Sequence, residues 1–75
     1  MLTRSQELLE GELQYAKERW SPIRGAHEGI SLIWEELDEY REEVRRDQRG
    51  TNTSARAELI QVAAMAIRTL QDVYF

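Results

Sequence analysis

Acidic side chains recur at helical spacing in the middle of this chain. Glu35, Glu36 and Glu39 stand close together, and Glu58 follows 19 residues after Glu39 in another segment with a helical pattern. Carboxylates three or four residues apart project from one side of a helix, so two such helices can surround a hard divalent cation with oxygen ligands. The pattern predicts a Mg²⁺ site suited to phosphate chemistry. The alternative is ordinary solvated helix surface, because 14 of the 75 residues are acidic.

The length of the chain limits how large a core it can build. Seventy-five residues form one domain, here residues 1–75, and a chain this short buries a small fraction of its surface. It has no cysteine, so disulfides and thiolate metal sites cannot support the fold. Self-association is the remaining way to add buried area. We therefore expect a homo-oligomer, either a dimer or a tetramer.

Charge and hydropathy exclude two classes of partner. The net charge of −4 argues against nucleic acid, because binding to the phosphate backbone depends on clustered lysine and arginine. The N-terminal residues lack the apolar region of a signal peptide, and the longest nearly apolar run, residues 62–67, is too short to cross a bilayer. We expect no membrane partner and a cytoplasmic location.

Two helices are predicted from apolar residues at helical spacing. The first covers about residues 2–20, and its apolar stripe consists of Leu2, Leu9, Leu13, Ala16 and Trp20. Pro22 ends it, because proline lacks the backbone donor that a continuing helix needs. The second covers about residues 26–48, and its apolar seam consists of Ile30, Ile33, Leu37, Tyr40 and Val44.

The third predicted helix, over about residues 54–73, has an unusually wide apolar band. That band must be buried on two sides. The polar remainder is a narrow stripe, which is typical of a helix that lines a cleft or faces a partner; it contains Glu58, Gln61, Arg68, Thr69 and Asp72, with Met65 among them. The predicted fold is all-α: a three-helix antiparallel chain that assembles into an oligomeric four-helix-type bundle.

The acidic residues also resemble a known motif. The pattern EExxE, a gap of 12 to 28 residues, and ExxD is similar to that of the all-α nucleoside triphosphate pyrophosphohydrolases, which include MazG, dimeric dUTPases and phosphoribosyl-ATP pyrophosphatase. Residues 35–39 match the first half, the 18 intervening residues match the gap, and residues 58–61 match the second half except at the last position. The stretch from His27 to Val73 resembles the short MazG-like proteins of phages and bacteria.

The resemblance implies a fold, a cofactor and an activity. Glu36, Glu39 and Glu58 would bind Mg²⁺, or Mn²⁺ in its place, and Glu35 would be the catalytic base for water or a ligand to a second ion. The reaction would convert a nucleoside triphosphate to the monophosphate and pyrophosphate. Gln61 stands where the family has aspartate. It is a weakened ligand position, because an amide offers only a neutral oxygen.

Four further residues are candidates for substrate binding. Lys17 and Arg68 could contact phosphates, and Trp20 could stack on a nucleobase, as could Trp34. The alternatives are salt bridges for the two cations and core packing for the two tryptophans. A competing function is a non-catalytic MazG-like bundle that binds a nucleotide or a protein as an accessory factor, and the departure at Gln61 favours it. A purely structural bundle would instead disperse the carboxylates.

Overall fold

Three α-helices and one π-helical turn make up the chain. The computed structural model describes all 75 residues, with α1 at Arg4–Arg19, α2 at Ala26–Arg46, α3 at Thr53–Thr69 and the π turn at Leu70–Tyr74. The all-α prediction is confirmed. The predicted ends of α1 and α2 differ from the observed ones by no more than two residues. No helix has both the length and the apolar character that crossing a lipid bilayer would require.

Side-chain caps explain where α1 and α3 begin. Thr3 and Gln6 form a capping box: the Gln6 amide donates to Thr3 Oγ1 at 3.1 Å, and the Thr3 amide donates to Gln6 Oε1 at 2.8 Å. Asn52 accepts from the Ala55 amide at 3.0 Å, and its Nδ2 donates to the Glu43 carbonyl at 3.1 Å. Asn52 therefore joins the end of α2 to the start of α3.

The helices form an open layer with α3 in the middle. α3 packs against α2 on one side and α1 on the other, whereas α1 and α2 hardly touch. α2 and α3 are antiparallel. The start of α2 meets the end of α3 through Gly29 and Thr69, and the end of α2 meets the start of α3 through the hydrogen bond between Glu43 and Asn52. The molecule measures 36 × 31 × 19 Å and is therefore flat.

The core is small and partly polar. No large side chain is fully buried, and the buried apolar residues are Ala16, Ile23, Ala55, Ala64 and Met65. Arg68 and Thr69 of the polar stripe are buried, whereas Leu59 and Leu70 of the apolar band are 48% and 45% exposed. This part of the polar stripe thus faces inward, and a single chain covers only part of the apolar band, which the sequence predicts to be buried on two sides in an oligomer.

Candidate metal centre

Three carboxylates from two helices converge on one point. Glu36 and Glu39 of α2 and Glu58 of α3 each place an oxygen within 4.8 Å of the other two. The first two lie one turn apart on the same side of α2. Glu58 joins them because the Asn52 contacts hold α3 antiparallel to α2. The structure therefore brings together the three residues that the sequence predicts as metal ligands.

The environment of this acid cluster (Glu36, Glu39 and Glu58) disfavours negative charge. The pKa of Glu36 is raised from 4.5 to about 7. Burial is the largest cause, followed by the charge and hydrogen bonding of Glu39 and then by the charges of Glu58 and Glu35. Burial raises the pKa of Glu58 as well, and the proximity of Glu39 and Glu43 adds to that effect. Near neutral pH the cluster requires either a shared proton or a cation.

One oxygen of the cluster lacks any protein partner. Glu58 Oε2 is buried and accepts no hydrogen bond. Leaving such an oxygen unpartnered costs about 1–3 kcal/mol, and more when the group is charged. A hard cation would supply the missing partner, and a ligand set made only of carboxylate oxygens suits Mg²⁺ or Mn²⁺ rather than softer metals. The residues present therefore fit a divalent metal.

A groove of about 520 Å³ adjoins the acid cluster. We call it the acid groove; its walls come from the α1–α2 connection, α2 and α3. Glu36 belongs both to the cluster and to the groove wall, and the exposed Glu35 lies on the same wall. Gln61 and Arg68 line the opposite wall. The catalytic candidate and the weakened ligand position thus border the same space as the cluster.

Arg68 is a buried cation without a carboxylate partner. Its Nη2 donates to the Ser21 carbonyl at 3.0 Å, and its Nη1 lies 3.7 Å from Met65 Sδ. The ion pairs of this chain do not include Arg68, so the salt-bridge alternative is wrong for it. Because a buried charge without a counter-charge is unfavourable, the guanidinium would gain from an anion bound in the groove.

The other substrate-binding candidates lie at different places. Trp20 lines the acid groove, whereas Lys17 lines a second groove that contains no member of the cluster. Trp20 is 55% exposed and packs edge to face on Tyr15 at a centroid distance of 5.9 Å. Trp34 is 65% exposed and lies outside both grooves. Core packing is therefore wrong for both tryptophans.

Two contacts that sequence reasoning missed hold the α1–α2 connection, which forms one wall of the acid groove. Asp72 Oδ2 accepts a hydrogen bond of 2.8 Å from the Ile23 amide, and Arg68 binds Ser21 as described above. The two anchoring residues lie four positions apart, on the polar stripe and its continuation into the π turn. That spacing indicated a shared face, but nothing in the sequence identified backbone groups of the α1–α2 connection as the partners.

Comparisons with models of protein families, with curated proteins and with solved structures found no match to this chain. The clustered carboxylate oxygens offer ligands for a divalent cation, and the buried guanidinium offers hydrogen-bond donors for an anion in the adjoining groove.

Proposed function

We propose that this chain is a Mg²⁺-dependent nucleoside triphosphate pyrophosphohydrolase. The observation that carries this proposal is the convergence of Glu36, Glu39 and Glu58 at the edge of a groove whose far wall holds Arg68. Structural carboxylates on a solvated surface would be expected to spread apart, because like charges repel. Here they cluster around an unpartnered buried oxygen, and the groove that Glu36 borders also holds the cation Arg68, which suits a metal and an anion bound together.

Each residue of the acid groove has a role in this reaction. The three clustered carboxylates would hold Mg²⁺, which when bound neutralises phosphate charge and makes a bound water more acidic. Arg68 donates to phosphate oxygens, and Trp20 offers an aromatic face for the base. Glu35 accepts the proton of the attacking water. The water oxygen bonds to the α-phosphorus, the bond from that atom to the bridging oxygen breaks, and pyrophosphate leaves.

We also propose that the active form is a homo-oligomer, a dimer or a tetramer. A chain in which no large side chain is fully buried has little core of its own.

Lys17 keeps its predicted substrate role only if the nucleotide extends past Trp20 and Arg68, since these two residues border both grooves.

The test is release of pyrophosphate from a panel of canonical and modified nucleoside triphosphates with Mg²⁺ or Mn²⁺, and with EDTA as a control. Wild type is compared with Glu39→Ala and with Glu42→Ala, which removes an exposed carboxylate from the same helix. We expect turnover that needs metal, disappears in Glu39→Ala and persists in Glu42→Ala. Absence of turnover in folded wild-type protein would contradict the proposal.

Gln61 supports a second candidate, a non-catalytic bundle that binds a nucleotide or a protein. Its neutral amide lies on the wall of the acid groove, where a carboxylate would strengthen metal binding. This candidate predicts saturable binding of Mg²⁺ and nucleotide without pyrophosphate release. Calorimetric titration run beside the turnover assay distinguishes the two functions.

A further inference from the structure

The groove that Lys17 borders has an apolar wall suited to a planar ring. It lies between α1 and the C-terminal end of α3, has a volume of about 520 Å³, and is called the α1 groove below. Leu13, Trp20 and Pro22 supply the apolar wall, and Trp20 is 55% exposed. An exposed aromatic ring can stack on any nucleobase, because every base has a π-face. The wall alone therefore accepts a base without selecting one.

Three polar side chains of α1 form a row along the same groove. Glu10, Gln14 and Lys17 all line it and are four and three residues apart, so they project from one side of the helix. All three are exposed. Neither Glu10 nor Lys17 takes part in an ion pair of this chain. The charged groups of the row are therefore free to bind a ligand.

The row presents one hydrogen-bond donor followed by two acceptors. The ammonium group of Lys17 only donates, and the carboxylate of Glu10 only accepts. A glutamine amide can do either, but Gln14 Nε2 already donates to Glu18 Oε1 at 3.0 Å. That hydrogen bond directs the amide nitrogen to Glu18 and leaves Gln14 Oε1 as the free group. From Lys17 to Glu10 the order is donor, acceptor, acceptor.

Guanine carries the complementary order on its pairing edge. Its O6 accepts, whereas its N1–H and its N2 amino group both donate. Adenine, cytosine and uracil each have a single donor group on this edge. Against the row, each of these three bases would leave one of the two acceptors without a partner, and an unmade hydrogen bond is costly where water is displaced. Only guanine satisfies all three side chains.

We infer that the α1 groove selects guanine, so that the substrates of this site are guanine nucleoside triphosphates. Lys17 donates to O6, Gln14 Oε1 accepts from N1–H, and Glu10 accepts from the N2 amino group. The triphosphate part of this inference rests on the proposed hydrolase function, whereas the choice of base does not.

The two grooves can hold one nucleotide between them. Trp20 and Arg68 line both the α1 groove and the acid groove. A nucleotide whose base lies in the α1 groove therefore passes Arg68 and places its phosphates in the acid groove, beside the acid cluster. Lys17 then contacts the base and Arg68 contacts the phosphates.

Two substrates that differ by one group test the role of Glu10. ITP has the guanine ring without the N2 amino group, which is the group assigned to Glu10. We expect kcat/KM of wild type to be roughly tenfold higher for GTP than for ITP, which is the scale of one hydrogen bond to a charged acceptor. Glu10→Ala should lower kcat/KM for GTP to the value for ITP and leave the value for ITP unchanged.

Glu7→Ala is the matched control, because it removes an exposed carboxylate of α1 that borders neither groove. It should keep the wild-type ratio of GTP to ITP. A purely structural role of Glu10 would lower turnover of both nucleotides in equal proportion. That result, or equal turnover of GTP and ITP by wild type, would overturn the inference.

Binding without turnover separates the choice of base from the hydrolase function. In EDTA, quenching of Trp20 fluorescence reports the binding of GMP and IMP, and a Trp34→Phe background removes the only other tryptophan. We expect GMP to bind roughly tenfold more tightly than IMP. Preference for GMP in a protein that releases no pyrophosphate would support the α1 groove and remove the hydrolase proposal. Pyrophosphate release together with equal affinity for GMP and IMP would do the reverse.

Discussion

The side chain of Thr69 on α3 packs so closely on Gly29 of α2 that position 29 has no room for a side chain of its own. A Cβ atom on Gly29 would lie 2.6 Å from Thr69 Cγ2 and 2.8 Å from Thr69 Oγ1. The hydroxyl donates to the Met65 carbonyl at 2.8 Å, which holds the threonine side chain in place. This contact sets the spacing of α2 and α3 and therefore the distance between the carboxylates that they carry.

Replacing Gly29 should destabilise the fold even though alanine is the better helix former. We expect Gly29→Ala to lower the free energy of unfolding by about 1–3 kcal/mol, because the new methyl group overpacks the helix contact. Gly11→Ala, within α1 and with nothing within 4 Å of the added Cβ, should raise it by about 0.5–1 kcal/mol. Urea titration followed by circular dichroism measures both.

The double variant Gly29→Ala/Thr69→Ala supplies the control, because it removes the two closest atoms. The double variant should be nearly as stable as Thr69→Ala alone. Gly29→Ala should therefore cost much less unfolding free energy in the Thr69→Ala background than in wild type. If Gly29→Ala stabilised the chain as Gly11→Ala does, α2 and α3 would not pack as closely as described.

Periodicity was sufficient to predict the helices but not how they approach one another. Apolar residues at helical spacing and the break at Pro22 located all three helices, since these signals are local. The low helix propensity of Gly29 is visible in the sequence, whereas its contact with Thr69 is not. A single chain supplies too few helices to cover both sides of α3, so Leu59 and Leu70 of its wide apolar band stay exposed.

The candidate metal centre was likewise predictable from the sequence only in part. The spacing of Glu36 and Glu39, together with Glu58 on a neighbouring helix, predicted a cluster that the structure contains. Arg68 was assigned a salt bridge as its alternative role, yet its partner is the Ser21 carbonyl. Every residue carries a backbone carbonyl, so residue type gives no clue to such a partner.

Glu36 should make the stability of the metal-free protein depend on pH. Its pKa is raised from 4.5 to about 7, so the folded chain holds an extra proton between these values. The free energy of unfolding should therefore fall as pH rises from 4.5 to about 7. At pH 8 in EDTA, we expect Glu36→Gln to be more stable than wild type by about 1 kcal/mol, after allowing for solvent screening of a partly buried group.

The check is urea unfolding of both proteins across this pH range. Glu42→Gln, which alters an exposed carboxylate of α2, provides the baseline for simple loss of charge. The assignment would be wrong if the difference between Glu36→Gln and wild type stayed constant with pH, or if Glu42→Gln showed the same dependence.

Asp72 should hold the α1–α2 connection in place beside the acid groove. Its Oδ2 accepts from the Ile23 amide at 2.8 Å, and Ile23 is almost fully buried. We expect Asp72→Ala to cost about 1–2 kcal/mol of unfolding free energy and to speed amide hydrogen exchange at Ile23, because its acceptor is gone. Gln71→Ala, an exposed neighbour, should change neither quantity. Unchanged exchange at Ile23 in Asp72→Ala would refute the role given to this hydrogen bond.

Replacing Gln61 by aspartate distinguishes most directly between a metal site and an ordinary acidic surface. A carboxylate introduced at this wall of the acid groove should repel Glu36 and Glu58, so metal-free Gln61→Asp should be less stable than wild type. The same carboxylate should attract a cation and strengthen Mg²⁺ binding by roughly tenfold, or about 1.4 kcal/mol. The two effects have opposite signs, and thermal unfolding in EDTA and in excess Mg²⁺ resolves them.

Gln71→Asp makes the same chemical change on the exposed π turn and should leave Mg²⁺ affinity unaltered. If Gln61→Asp destabilised the protein without raising its Mg²⁺ affinity, the cluster would be an acidic surface and not a metal centre.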